Sequence, residues 1–117
     1  MANSIAVNDQ QRVGNQQFQG LYQDIWKVKF TVTQDTAVAL NDTASITMTV
    51  SGVALGDHII SADINLDWSD GTDQAVISYA VTAANTVTMY VHADLGEFAA
   101  TAINGAVGKI LIGRPAW

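Results

Sequence analysis

The stretch "DINLDWSDGTD" gathers Asp63, Asp67, Asp70 and Asp73 around Gly71. It is the first place to look for chemistry. Calcium is held by several oxygens on a loop that bends at a glycine. If Gly71 takes the glycine position of an EF-hand loop, Leu66 falls where the first ligand belongs, and no glutamate closes the loop. A solvated hairpin turn explains the same residues, since Asp-Gly favours a tight turn with positive φ. His58 and His92 are the two histidines; His58 follows Asp57 and His92 stands two residues before Asp94. Neither has the spacing of a metal pair, and no serine sits in a nucleophile elbow. Asp94 and Glu97 could be imagined as a carboxylate pair, but "ADLGEF" reads more simply as a polar turn. Gly52, Gly56 and Gly71 are too dispersed to cradle a phosphate. The chain has no cysteine, which removes thiol catalysis and Cys-type zinc sites. The expectation is a protein without catalytic residues, metal or cofactor.

The aromatic residues suggest a different chemistry, stacking on sugars. Trp26, Trp68 and Trp117, with Tyr22, Tyr79 and Tyr90, could form such a platform. Alternation within strands assigns Trp68 and Tyr79 to the core and Tyr90 to the outside, so the platform is thin.

The elements that must position these residues are strands. From Trp26 onward, Trp26, Val28, Phe30 and Val32 alternate with Lys27, Lys29, Thr31 and Thr33, a period-two pattern. Ile46, Met48 and Val50 repeat it. Over 58–68, Ile60, Ala62, Ile64, Leu66 and Trp68 define one face. Ala75, Ile77, Tyr79 and Val81 follow, then Val87, Met89 and Val91 after the turn "TAANT". Residues 107–113, "VGKILIG", are a late strand whose inward face the pattern does not assign. Pro115 lies near the end, where it breaks no strand. About six strands joined by short turns predict an all-β fold, an antiparallel β-sandwich or small barrel. Its core is expected to contain Ile60, Ile64, Leu66, Trp68, Ile77, Tyr79, Val87, Met89 and Val91.

Residues 1–25 read differently. They are rich in Asn and Gln, carry Gly14 and Gly20, and place Phe18, Leu21, Tyr22 and Ile25 at helical spacing. The expected organisation is an N-terminal extended arm at 1–25, with one short helix as an option, and a β-sandwich domain at 26–117. Deleting the arm should leave a folded body. The simpler alternative is that residues 18–25 cover an open edge of their own domain.

The 117 residues suffice for one domain, and nearly half are apolar, enough to fold without cross-links. No segment approaches the roughly 18 consecutive apolar residues of a membrane span. The N-terminus lacks the basic and apolar regions of a secretory signal. Expected partners therefore exclude membrane, and the expected place of synthesis is cytoplasm. Net charge is −6. Residues 1–34 carry Arg12, Lys27 and Lys29 against Asp9 and Asp24, a net +1, so the remainder holds −7. An acidic body offers no footprint for a phosphate backbone, which argues against nucleic acid.

"VSGVALGDHII" (50–60) followed by "YAVTAANTVTMYV" (79–91) resembles a small β-domain of tailed-bacteriophage structural proteins. The ending "ILIGRPAW" is similar to the C-terminus of short phage proteins. These are turn signatures, so they point to a fold more than to a task. The resemblance implies a non-enzymatic virion protein, a capsid decoration (cement) protein on the head surface that binds and stabilises the major capsid protein lattice, assembled in the host cytoplasm. It also implies a homo-oligomer, with a trimer expected from the local three-fold axes of such lattices. Phe18, Leu21, Tyr22, Ile25 and Trp26 would then be the capsid or subunit interface. The alternative is a head-fibre or tail-associated module that binds a host surface or glycan.

Overall fold

A computed structural model describes residues 3–13, 21–64, 75–93 and 104–116. Among the described residues seven strands run in the order β1 (Ser4–Arg12), β2 (Tyr22–Thr33), β3 (Thr43–Thr49), β4 (His58–Ile64), β5 (Ala75–Ala83), β6 (Thr86–Ala93) and β7 (Val107–Pro115). They form two antiparallel sheets, one ordered β1-β2-β7-β4 and the other β3-β6-β5. The fold is the expected all-β sandwich, and the described residues contain no helix. Connections β1–β2 and β5–β6 stay within a sheet; every other connection crosses between them. β1 runs alongside β3 and β4 alongside β5, which closes the two seams.

The core lies between the sheets. Trp26, Val28, Phe30 and Val32 of β2, Ile46 and Met48 of β3, Val87, Met89 and Val91 of β6, and Ile110 and Ile112 of β7 are buried in one cluster. Ile64, Ile77 and Tyr79 pack against it half-buried. Phe30 is fully buried because β7 has Gly108 beneath it: a Cβ there would stand 2.1 Å from the Phe30 ring. Tyr79 meets the same ring edge-on, with centroids 6.2 Å apart. For β7 the inward residues are Gly108, Ile110 and Ile112. Alternation could not choose them, since Ile110, Leu111 and Ile112 are apolar on both sides; the register against β2 does.

Two expectations are corrected. Ile60 does not lie on the core face. The β4–β7 register shifts between Ile59 and Ser61, so Ile59 and Ala62 pack on the core and Ile60 is the extra residue of a bulge. Its side chain lies over Gly113 on the outer face, beside Tyr22. Leu66 and Trp68 lie outside the described residues.

The second correction concerns the arm. Its residues Ser4–Arg12 are strand β1, paired along β2, and the expected boundary at 25/26 falls inside β2. Ile5 and Val7 pack on the core. The polar residues that suggested an arm make the attachments. Asn3 Oδ1 accepts from the backbone N–H groups of Asp35 and Thr36, both at 3.0 Å. Gln10 bonds both backbone groups of Ser51, accepting its N–H at 2.9 Å and donating to its carbonyl. An amide side chain thus supplies the donor and acceptor that a neighbouring strand would supply.

Candidate functional site

Residues 50–57, 85 and 114 converge on one end of the sandwich. Asn85, with φ 58°, accepts the Gly52 N–H through Oδ1 at 2.9 Å and donates its own N–H to Val53 O at 2.8 Å. Asp57 accepts the Ala54 N–H at 2.9 Å and holds Arg114 by two bonds, Nε at 3.1 Å and Nη2 at 3.0 Å. Arg114 also donates to Gly52 O at 2.9 Å and lies over the Trp26 ring, 5.0 Å from its centroid. The bond to Asp57 pushes the Arg114 guanidinium pKa further up, against the lowering effect of burial. Bidentate pairing of this kind fixes geometry. These bonds tie the loops after β3 and β5 to β7, so this end is a latch between the sheets.

The expected interface residues are scattered around this latch. Leu21 is exposed. Tyr22 is half-buried, edge-on to the His58 ring at 6.2 Å. Ile25 and Trp26 are 3% and 5% exposed, Trp26 within the core. Buried inside their own fold, these two cannot dock on a neighbour. Phe18 lies outside the described residues. The strand pattern explains the miss: Tyr22 and Ile25 belong to β2, so their helical spacing does not describe a helix face.

The other candidates separate. His58 opens β4 on the four-stranded sheet, whereas His92 lies on β6 of the other, its Nδ1 2.9 Å from Thr43 Oγ1. Asp63 is exposed and accepts the Ile64 N–H at 2.9 Å. Asp67, Asp70, Gly71, Asp73, Asp94 and Glu97 lie outside the described residues, as do Trp68 and Trp117. Among the described residues no group of three or more His, Asp or Glu could hold a metal ion, and no helix is long and apolar enough to cross a membrane.

One site emerges that the linear sequence did not signal. The outer face of the four-stranded sheet carries a concavity of about 480 Å³. All three lysines of the chain, Lys27, Lys29 and Lys109, line it, together with Asp9 and Asp63. The ladder sets them in a row: Asp9 opposite Lys29, Lys29 opposite Lys109, Lys109 opposite Asp63. The adjoining row is Gln11, Lys27, Leu111 and Ser61. Like charges directly opposite each other destabilise a sheet. Yet none of the three lysines lies within ion-pair distance of a carboxylate among the described residues. The ammonium groups are therefore available, in a protein whose net charge is −6. Alternation marks Lys27 and Lys29 as outward, but only strand order brings Lys109 beside them.

No protein-family model matches this chain, and neither the curated proteins nor the solved structures give a match.

Proposed function

We propose that this chain is a non-enzymatic structural protein of the capsid-decoration kind, attaching to the head lattice of a tailed phage through the outer face of its four-stranded sheet. The observation that carries the proposal is the gathering of every lysine, with no ion-pair partner among the described residues, into one concavity of an acidic protein. A face lined by three lysines against two aspartates, on a protein of net charge −6, orients its bearer toward an acidic surface. On this reading the protein sits on the head surface, and its partner is the major capsid protein. Several copies, a trimer on the lattice symmetry, would add avidity. The buried Ile25 and Trp26 serve the fold, and attachment passes from the N-terminal segment to the sheet. The test is co-sedimentation with undecorated heads. The full chain should pellet with them, and Lys29→Glu with Lys109→Glu should not, while circular dichroism reports an unchanged fold. Equal pelleting of the two would sink the proposal.

One observation favours the second reading, a glycan-binding module of a fibre or tail. On the other sheet Tyr90 faces outward in a row between Ser45 and Ser78. An aromatic ring flanked by hydroxyls suits a sugar face. Loss of glycan-array binding in Tyr90→Ala, with head binding intact, would favour that reading.

A further inference from the structure

We infer that the lysine concavity recognises an extended acidic segment of a partner protein, one with carboxylate side chains at alternate positions. This rests on the reading of that face as the attachment surface and names the group it grips.

Lys29 and Lys109 are direct cross-strand partners. Side chains so paired have Cβ atoms about 4.5–5.5 Å apart, so both ammonium groups can close on a single anion. Lys27 is two residues from Lys29 on the same strand and the same face. Two residues of strand span about 6.8 Å. An extended ligand has the same repeat, so acidic residues at i and i+2 place one carboxylate between Lys29 and Lys109 and the next at Lys27. Leu111 is half-buried opposite Lys27 and offers apolar surface to the methylene stem of a glutamate.

The same row limits what else can bind. Asp9 and Asp63 bound it at both ends, about 14 Å apart at the usual strand spacing. A nucleic acid whose backbone followed this row would meet both carboxylates. Phosphate is best held by backbone N–H groups and guanidinium forks. Here β2 and β7 are paired on both sides, so their backbone donors are spent in the ladder, and the side-chain donors among the described lining residues are the ammonium groups and the Ser61 hydroxyl. An isolated carboxylate fits that donor set, with Asp9 and Asp63 open to cationic or N–H groups flanking it on the partner.

The experiment uses the full chain with 13C-labelled lysine and follows the side-chain ε-CH2 signals by NMR. Two capped pentapeptides serve as probes at equal ionic strength, Gly-Glu-Ser-Glu-Gly and Gly-Glu-Glu-Ser-Gly; inorganic phosphate and duplex DNA are the other arms. The spaced peptide should shift Lys27, Lys29 and Lys109 saturably and bind about fivefold or more tightly than the adjacent one. Lys29→Gln with Lys109→Gln should weaken it about tenfold or more, a difference of ~1.4 kcal/mol. Equal binding of the two peptides, or equal shifts with phosphate or DNA, would overturn the inference in favour of unspecific counter-ion attraction. If no peptide binds while Lys29→Glu with Lys109→Glu still abolishes head co-sedimentation, the acidic-segment assignment is wrong and the attachment face stands. If that variant still binds heads, the attachment face itself is wrong.

Discussion

The two sheets are alike inside and unlike outside. Both inner faces are rows of Val, Ile, Met and Phe. Outside, the four-stranded sheet sets three lysines and two aspartates into a concavity. The three-stranded sheet instead sets Thr43, Ser45, Thr47 and Thr49 beside Thr86, Thr88, Tyr90 and His92, with Val76, Ser78, Ala80 and Thr82 on β5; of these Thr88 is buried. Not one Asp, Glu, Lys or Arg stands among those twelve. Their origins differ too. The three-stranded sheet grows from the local hairpin β5–β6, whereas the charged sheet joins strands from both ends of the chain. The contrast teaches where function has room to vary. Inner faces are constrained by packing, since a one-residue slip in register would turn the apolar side outward. Outer faces carry no such constraint, and only one of them concentrates charge.

The largest expected effect comes from removing β1. Deleting residues 1–12 uncovers the core beneath Ile5 and Val7 and breaks the Gln10–Ser51 bonds. Each side chain of that size is worth about 1.5–3 kcal/mol when fully buried, so a loss of about 3 kcal/mol or more is expected in urea unfolding. An unchanged midpoint would show that the charged sheet does not need its outer strand. Gly108→Ala strikes the same sheet from within. Its methyl group would overlap the buried Phe30 ring, and overpacking of this kind costs about 1–3 kcal/mol or more. Thr47→Ala on the hydroxyl face should stay within about 0.5 kcal/mol; similar losses for both would erase the distinction between inside and outside.

Asp57→Asn tests the latch that joins the sheets. It removes the negative partner of Arg114, and hydrogen bonds to charged groups contribute about 1.5–3 kcal/mol each. A fall of about 2 kcal/mol is expected, read by thermal and urea melts.

A smaller effect separates the inner faces. The Tyr79 hydroxyl is buried without a hydrogen-bond partner among the described residues, and Tyr79→Phe should gain about 1 kcal/mol by deleting it. Burial, and then the charge of Asp63, push the Tyr79 pKa from 10.0 up to about 12. The fold favours the neutral phenol, so this contribution is fully present below pH 10 and is lost as pH rises through 12. A melt series across that range should show the drop in the parent chain and a shallower one in Tyr79→Phe. The smallest change in stability is expected for Lys29→Gln, within about 0.5 kcal/mol, because relief of the like-charge pair with Lys109 is offset by the lost attraction to Asp9 on the other side. Binding to heads should nevertheless weaken. Stability and binding falling together would mean that the lysines serve the fold.

What was legible in the sequence was local. Alternation of Trp26, Val28, Phe30 and Val32, and of Val87, Met89 and Val91, specifies strand and inward face within a few residues, and enough such strands require two packed sheets. That much determined the all-β sandwich and much of its core. Three things needed the tertiary structure. β1 reads as polar arm because its Asn and Gln side chains look solvated until Asn3 and Gln10 find backbone partners more than thirty residues away. Ile60 counts as inward until the bulge shifts the register. The lysine row joins residues from four strands, and it exists only because β7 inserts between β2 and β4. A strand's own period is set by its backbone, but its neighbours are set by how the whole chain buries its apolar faces, and no local pattern records that choice.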